Sequence, residues 1–365
     1  MRPTTFSTLA LNRALLARQM LLRREALSVS AALERLVGMQ AQVPHAPYVG
    51  LWSRLADFTP AGLSRLLTGR KAVRTALMRN TLHLVTATDC LILRSVLQPM
   101  LTNVHLASPF GRRLAGVDQD ALVAAGRALV LERPRSIADL GKALQGRWPD
   151  RDAESLGYAM RSLLPLVQIP PRGVWGASGP PVLAAADAWI GRPLSTSASP
   201  DAMIRRYLAA FGPATVADVR AWSGMAGMQE AIDRLRPRLR QFRDERGREL
   251  FDVPDGLRPR SSVAAPVRFL PEYDNVLVAY ADRSRIIPPE HRALVVRQLG
   301  GSMLLVDGFV RGMWRIDRSP PQRATLTIEL LDRVPALVRS AIEREGRALL
   351  TFAAADAKER TVTFG

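Results

Sequence analysis

The sequence predicts an α+β chain: three tandem modules, each of three helices closed by a hairpin, followed by a small C-terminal β-barrel-like domain. Three observations predict it. One segment occurs twice in the same helical context, hairpin patterns follow each set of helices, and beyond about Pro254 the periodicity changes to short apolar strands. At 365 residues the chain is too long for one ordinary core, which agrees with several modules.

The repeated segment reads Arg135-Ser136-Ile137-Ala138-Asp139-Leu140 and again Ala214-Thr215-Val216-Ala217-Asp218-Val219. In each, a Ser or Thr suited to N-capping precedes an apolar residue, Ala, Asp and another apolar residue, which is how a short helix starts. An amphipathic helix precedes each copy (118–131; 200–211) and another follows it (153–166; 228–239). With a hairpin added, helix-turn-helix-turn-helix is the winged-helix skeleton. The third wing is expected at 239–242 and 248–251 around Asp244-Glu245-Arg246-Gly247, and the middle one at Val174-Trp175-Gly176 and Pro181-Val182-Leu183. The first module has helices at 9–21, 30–39 and 60–67, then strands 73–78 and 81–85 about Arg79-Asn80. A helix at 88–101 and a polar stretch lead to the second module, and 192–199 link the second to the third. Strands follow at 267–270, 276–280, 303–306, 309–314, 324–328 and 360–364, with one helix at 335–345 and a turn at Asp307-Gly308. A small barrel is expected because an open sheet would leave edges exposed. The modules fall at 1–116, 117–195, 196–256 and 257–365.

No apolar run approaches the roughly 18 residues of a membrane span, and residues 1–20 read as an amphipathic helix rather than an export signal. A single cysteine, Cys90, and four scattered histidines offer no disulfide and no zinc spacing. A soluble cytoplasmic protein without metal or cofactor is expected. The charge is more telling: 51 basic against 33 acidic residues give +18, with a pI near 11.3. Only Lys71, Lys142 and Lys358 are lysines. A genomic preference for arginine explains that choice but not the surplus over acid, so a polyanion, nucleic acid first, is the expected partner.

The segment with chemical potential is Gln40-Ala41-Gln42. Gly38 and Pro44 end the helix begun near Ser30, and Pro44 disfavours helical geometry at Val43, so both glutamines leave the helix. In an extended exit, residues two apart lie on one side, where both amides can converge on one target. Paired glutamines at a helix end are also commonly just solvated, and the residues alone leave both readings open.

Leu36-Val37-Gly38-Met39-Gln40-Ala41-Gln42 resembles the Gln-x-Gln motif of the AlkZ/YcaQ-like winged-helix DNA glycosylases. Arg74 through Val85 is similar to that family's first wing, and Leu270-Pro271-Glu272-Tyr273-Asp274-Asn275 and the block from Val306 to Trp314 to its barrel. The YcaQ branch carries Gln-x-Asp, so Gln42 aligns the motif with the AlkZ branch, associated with self-resistance to DNA-alkylating natural products. The resemblance implies that Gln40 and Gln42 are catalytic and that the protein acts on double-stranded DNA containing alkylated purines, without full base flipping. Three dissimilar modules suit one-to-one binding, so a monomer is expected. Physical chemistry suits it to a cationic N7-alkylguanine, whose departure needs no protonation. What remains is to hold a water against C1′, which a carboxamide can do because it both accepts and donates. Three lysines, none near the motif, argue against a lyase step.

His45, Arg79, Thr81 and His83 are candidates to line the site. Glu272 and Asp274 are considered as substitute carboxylates. Arg236, Arg240 and Arg243, in the third helix and wing, and Arg283 and Arg285, at an expected hairpin tip, are candidate phosphate contacts. The rival reading is a winged-helix transcriptional regulator without catalysis. Such regulators commonly carry one module and dimerise, whereas three modules and a barrel make a cradle.

Overall fold

Side-chain caps start helices at the repeated segments. In the computed structural model, which describes residues 4–365, the Asp139 amide donates to Ser136 at the start of Ile137–Gln145. Thr215 and Asp218 cap Val216–Ser223 reciprocally. Each cap satisfies amides that lack a partner within the helix. Gln119–Glu132 and Ala153–Leu163 flank the first of these helices, and Pro200–Phe211 and Met228–Leu235 the second. The N-terminal third carries Thr8–Arg18, Val29–Arg35, Ala46–Trp52 and Pro60–Thr68, and Ala87–Ala107 leads out of it.

Among the described residues the strands form three sheets. A five-stranded antiparallel sheet runs in the order Met39–Gln40, Leu82–Thr86, Ala72–Ala76, Leu166–Gln168, Leu183–Ala185. Strands expected in two separate wings therefore share one sheet, and each covers an edge the other would expose. The middle hairpin differs from expectation. Leu183–Ala185 pairs with Leu166–Gln168, not with Val174-Trp175-Gly176. Val174 and Trp175 instead pack on the first module's apolar cluster, where the Tyr48 hydroxyl donates to the Gly173 carbonyl at 2.9 Å. Burial outweighed their strand propensity. A smaller sheet sets Thr5–Phe6 parallel to Arg240–Asp244, which forms a hairpin with Glu249–Asp252.

The C-terminal sheet is open, which corrects the expected barrel. Its order is Arg268–Leu270, Ser302–Val306, Phe309–Asp317, Arg323–Leu330, Glu359–Phe364, and its two end strands do not pair. The helix Ala336–Ala353 covers the face a barrel would turn inward: Ile342, Leu349 and Leu350 pack on Phe269, Leu304, Leu326 and Ile328. That helix also makes the crossover required by the parallel last pair. The strand expected at 276–280 is the short helix Asn275–Val278, capped by Asp274.

The largest apolar cluster joins residues distant in sequence, among them Leu15, Leu97, Phe211, Tyr280 and Leu305. Two buried ion pairs cross the same junctions, Arg18 to Asp252 at 2.7 Å and Arg54 to Asp274 at 2.7 Å. Among the described residues, no helix is long and apolar enough to cross a membrane.

Candidate active site at the glutamine strand end

After Val29–Arg35 the chain turns sharply through Val37 (φ 55°) and Gly38 (φ 84°) into Met39–Gln40. Gly38 is needed there: a Cβ would lie 2.5 Å from Val85 Cγ1, on top of the left-handed φ. One edge of Met39–Gln40 pairs with Leu82–Thr86. The Asn275 side chain clamps the other edge, donating Nδ2 to the Gly38 carbonyl at 2.8 Å and accepting the Gln40 amide on Oδ1 at 3.3 Å.

Gln40 is 8% exposed, and Arg79 Nη2 donates to its Oε1 at 3.0 Å. A guanidinium has donors only, so this bond fixes which end of the amide faces Arg79 and leaves Nε2 for another partner. Arg79 Nη1 is anchored on the Trp222 carbonyl at 2.6 Å. Both Arg79 and Asn80 have left-handed φ, at 55° and 56°, and form the turn between Ala72–Ala76 and Leu82–Thr86. Burial, then the nearby Arg283 charge, lowers the Arg79 pKa to about 10, so it stays protonated at neutral pH.

The regular strand stops at Gln40, one step short of the expected extended exit. The Ala41 amide still bonds the Leu82 carbonyl at 2.8 Å, but Gln42 lies in a bend, exposed, with Oε1 accepting from the Leu82 amide at 3.3 Å. The two carboxamides do not bond each other. Each is held through its oxygen, which keeps a second lone pair, and among the described residues neither Nε2 has a protein partner.

His83 lies opposite Gln40 in register, 2% exposed, with Nδ1 2.9 Å from the Thr81 carbonyl. Burial, then Arg79, pulls its pKa down to about 3, so it is a neutral wall rather than a titrating group. Thr81 bonds the Met78 carbonyl at 3.1 Å and closes the turn. His45 lines a separate cavity of about 900 Å³ together with Trp175, Glu272, Trp314 and Phe352. Burial, then Arg74 and Arg172, lowers its pKa. Asp274 is not a substitute carboxylate, being fully engaged with Arg54.

The expected phosphate contacts divide. Arg285 is 4% exposed, bonds the Pro213 carbonyl at 2.8 Å and stacks on Tyr280, so its expected place on an exposed tip is corrected. The expected hairpin there is a loop. Arg236 is tied to Asp233 and Glu249, and Arg243 donates to its own turn at Gly247. Arg240 is exposed and Arg283 half-buried, and among the described residues neither has a carboxylate partner. Sequence reasoning missed Asn275 and Arg74, which donates to the Ala41 carbonyl at 2.8 Å. No short-range pattern marks either role. Among the described residues, no group of three or more His, Cys, Asp or Glu is placed to hold a metal ion.

The family model for AlkZ-like DNA glycosylases matches residues 33–352, from Leu33 to Phe352. The chain belongs to the AlkZ-like DNA glycosylase family. Within that span lie the tripeptide, the Arg79-Asn80 turn and Asn275. This family member is 25% identical over 331 residues to the interstrand DNA cross-link repair glycosylase of Streptomyces sahachiroi, covering 82% of this chain and 85% of that protein. The solved structure of the DNA glycosylase AlkZ from the same organism superposes with a TM-score of 0.80 at 22% identity, over 99% of this chain and 100% of that one. That likeness establishes the shared mixed α and β fold.

Proposed function

We propose that this family member is a monofunctional DNA glycosylase that hydrolyses the N-glycosidic bond of cationic N7-alkylated purines, bulky guanine adducts or interstrand crosslinks, and leaves an abasic site. The observation that carries the reading is a pair of neutral carboxamides, Gln40 and Gln42, oriented through their oxygens on one strand end. Neither carboxamide is a base, and a cationic substrate requires none. Water adds to C1′, the bond to the purine breaks, and its electron pair neutralises the cation on the base. The proton of the water leaves to solvent. Spare oxygen lone pairs and free Nε2 groups hold water and sugar in line. A relative named for crosslink repair supports a crosslinked or bulky substrate.

No lysine lines the cavity beside Gln42, which supports hydrolysis without a lyase step. All three lysines are exposed, and Lys71 precedes the far end of the strand whose other end, Ala76, approaches Gln42. The three helix-and-hairpin units act in this reading as winged-helix modules that cradle one DNA duplex. A monomer suffices, and the place of work is the cytoplasmic chromosome. The +18 charge supports polyanion binding.

The test uses duplexes carrying N7-methylguanine or a bulky N7 adduct, with abasic sites counted after alkaline cleavage. Wild type should produce them, and Gln40→Ala/Gln42→Ala should bind DNA equally while excision drops by about 10² to 10⁴. No abasic sites from wild type, with selective binding of one undamaged sequence, would establish the regulator instead.

A further inference from the structure

Gln42 borders a cavity of about 270 Å³ whose polar wall consists of Arg74, Arg161, Arg172 and Gln168, over a floor that includes Ala76 and Leu82. No carboxylate lines it, and among the described residues none of its three arginines forms an ion pair. Their partners are neutral. Arg161 donates to the Asn80 carbonyl at 3.1 Å, Arg172 to the Gly179 carbonyl at 2.9 Å, and Arg74 to Gln168 Oε1 at 2.9 Å and the Ala41 carbonyl at 2.8 Å. Arg18, Arg54 and Arg206, by contrast, pair with carboxylates, whereas buried Arg94 has neutral partners alone, as the three arginines of the cavity do. Arg74 is only 2% exposed, and among the described residues its Nε has no partner, as is also the case for Arg54 and Arg94. Three like charges around one small space, with unused donors, amount to an incomplete electrostatic arrangement that a single anion completes.

We propose that this cavity is a phosphate subsite that grips one phosphodiester of the lesion-bearing strand beside Gln42. The inference rests on the glycosylase reading for the identity of the strand. Guanidinium forks match the tetrahedral oxygens of a phosphate and hold direction as well as charge. A neutral base in the same space would leave all three cations uncompensated. Arg74 also links the two sites: one nitrogen holds the carbonyl between the two glutamines, and the same side chain forms the cavity wall. A phosphate fixed here sets the register of the adjoining sugar against Gln42. The subsite therefore supplies position rather than general attraction, unlike the exposed arginines of the third unit.

Two binding experiments on the full chain test it. With undamaged duplex, the slope of log affinity against log salt should become shallower by about 0.9 in Arg161→Gln and in Arg172→Gln, the value of one lost phosphate contact. With duplexes holding a tetrahydrofuran abasic analogue, a single neutral methylphosphonate is moved along the analogue strand. Wild type and Arg240→Gln should lose affinity about tenfold at one position near the analogue, and Arg172→Gln should show no loss there. Unchanged salt slopes, a flat scan in wild type, or the same loss in Arg172→Gln overturns the subsite. Absence of excision by wild type alongside the expected slope changes would remove the glycosylase reading and leave the anion site standing.

Discussion

Gln40 owes its orientation to a residue that cannot accept a hydrogen bond. Arg79 reaches from the Trp222 carbonyl to Gln40 Oε1, so the amide cannot flip without losing a charge-assisted bond. Gln42 is set by the Leu82 amide with the same polarity. His83, beside them, shows what burial does to an ionisable group. Its folded pKa of about 3 lies below the ordinary 6.5, so the unfolded chain binds more protons between those values. Stability should accordingly fall as pH drops from about 6.5 toward 3, by up to about 1.4 kcal/mol per pH unit from this group. His83→Gln should flatten that part of the urea-midpoint profile. In wild type the excision rate should show no His83 inflection between about pH 5 and 8. Protonation of His83 itself near 6.5 by NMR would contradict the burial account.

At the scale of elements, a two-residue strand holds the tripeptide. Met39–Gln40 pairs with Leu82–Thr86 on one side and is hydrogen-bonded by the Asn275 carboxamide on the other. Asn275 does the work of a neighbouring strand for Gly38 and Gln40. Asn275→Ala should leave a buried carbonyl and amide without partners, costing about 1–3 kcal/mol in denaturant unfolding. It should slow excision more than it weakens DNA binding, because the strand end is freed while the basic surfaces are untouched. The turn from helix to strand was legible at Gly38 and Pro44, and so were the helix starts at Ser136 and Thr215. Asn275 was not, because its partners lie more than two hundred positions away and nothing in residues 270–275 marks one asparagine as a clamp. The strand expected at 276–280 failed for a related reason: Asp274 caps a helix start there, and the apolar residues that follow enter the core from a helix.

Over the whole molecule, long-range salt bridges and shared sheets set the position of the glutamines. Arg54 and Asp274 are both fully buried in a bidentate pair that ties the helix after the tripeptide to the residue preceding Asn275. Asp274→Ala should cost about 3–5 kcal/mol, since it strands a buried guanidinium, and should lower excision through the displaced clamp. Replacing both partners by apolar residues should recover much of that stability but not the activity, which thermal unfolding and single-turnover excision measured side by side would show. The sequence by itself determined the features that act over a few residues: capped helices, a helix stopped before paired glutamines, a basic surplus, and a motif in family order. The tertiary structure alone decided that strands expected in two separate wings share one sheet, that a helix replaces barrel closure, that Arg285 is internal, and that Arg74, Arg161 and Arg172 share a cavity. The physical reason is range. Capping and turn geometry are satisfied by neighbours along the chain, whereas strand edges, buried charges and cavities are completed by segments that meet only when the apolar core closes.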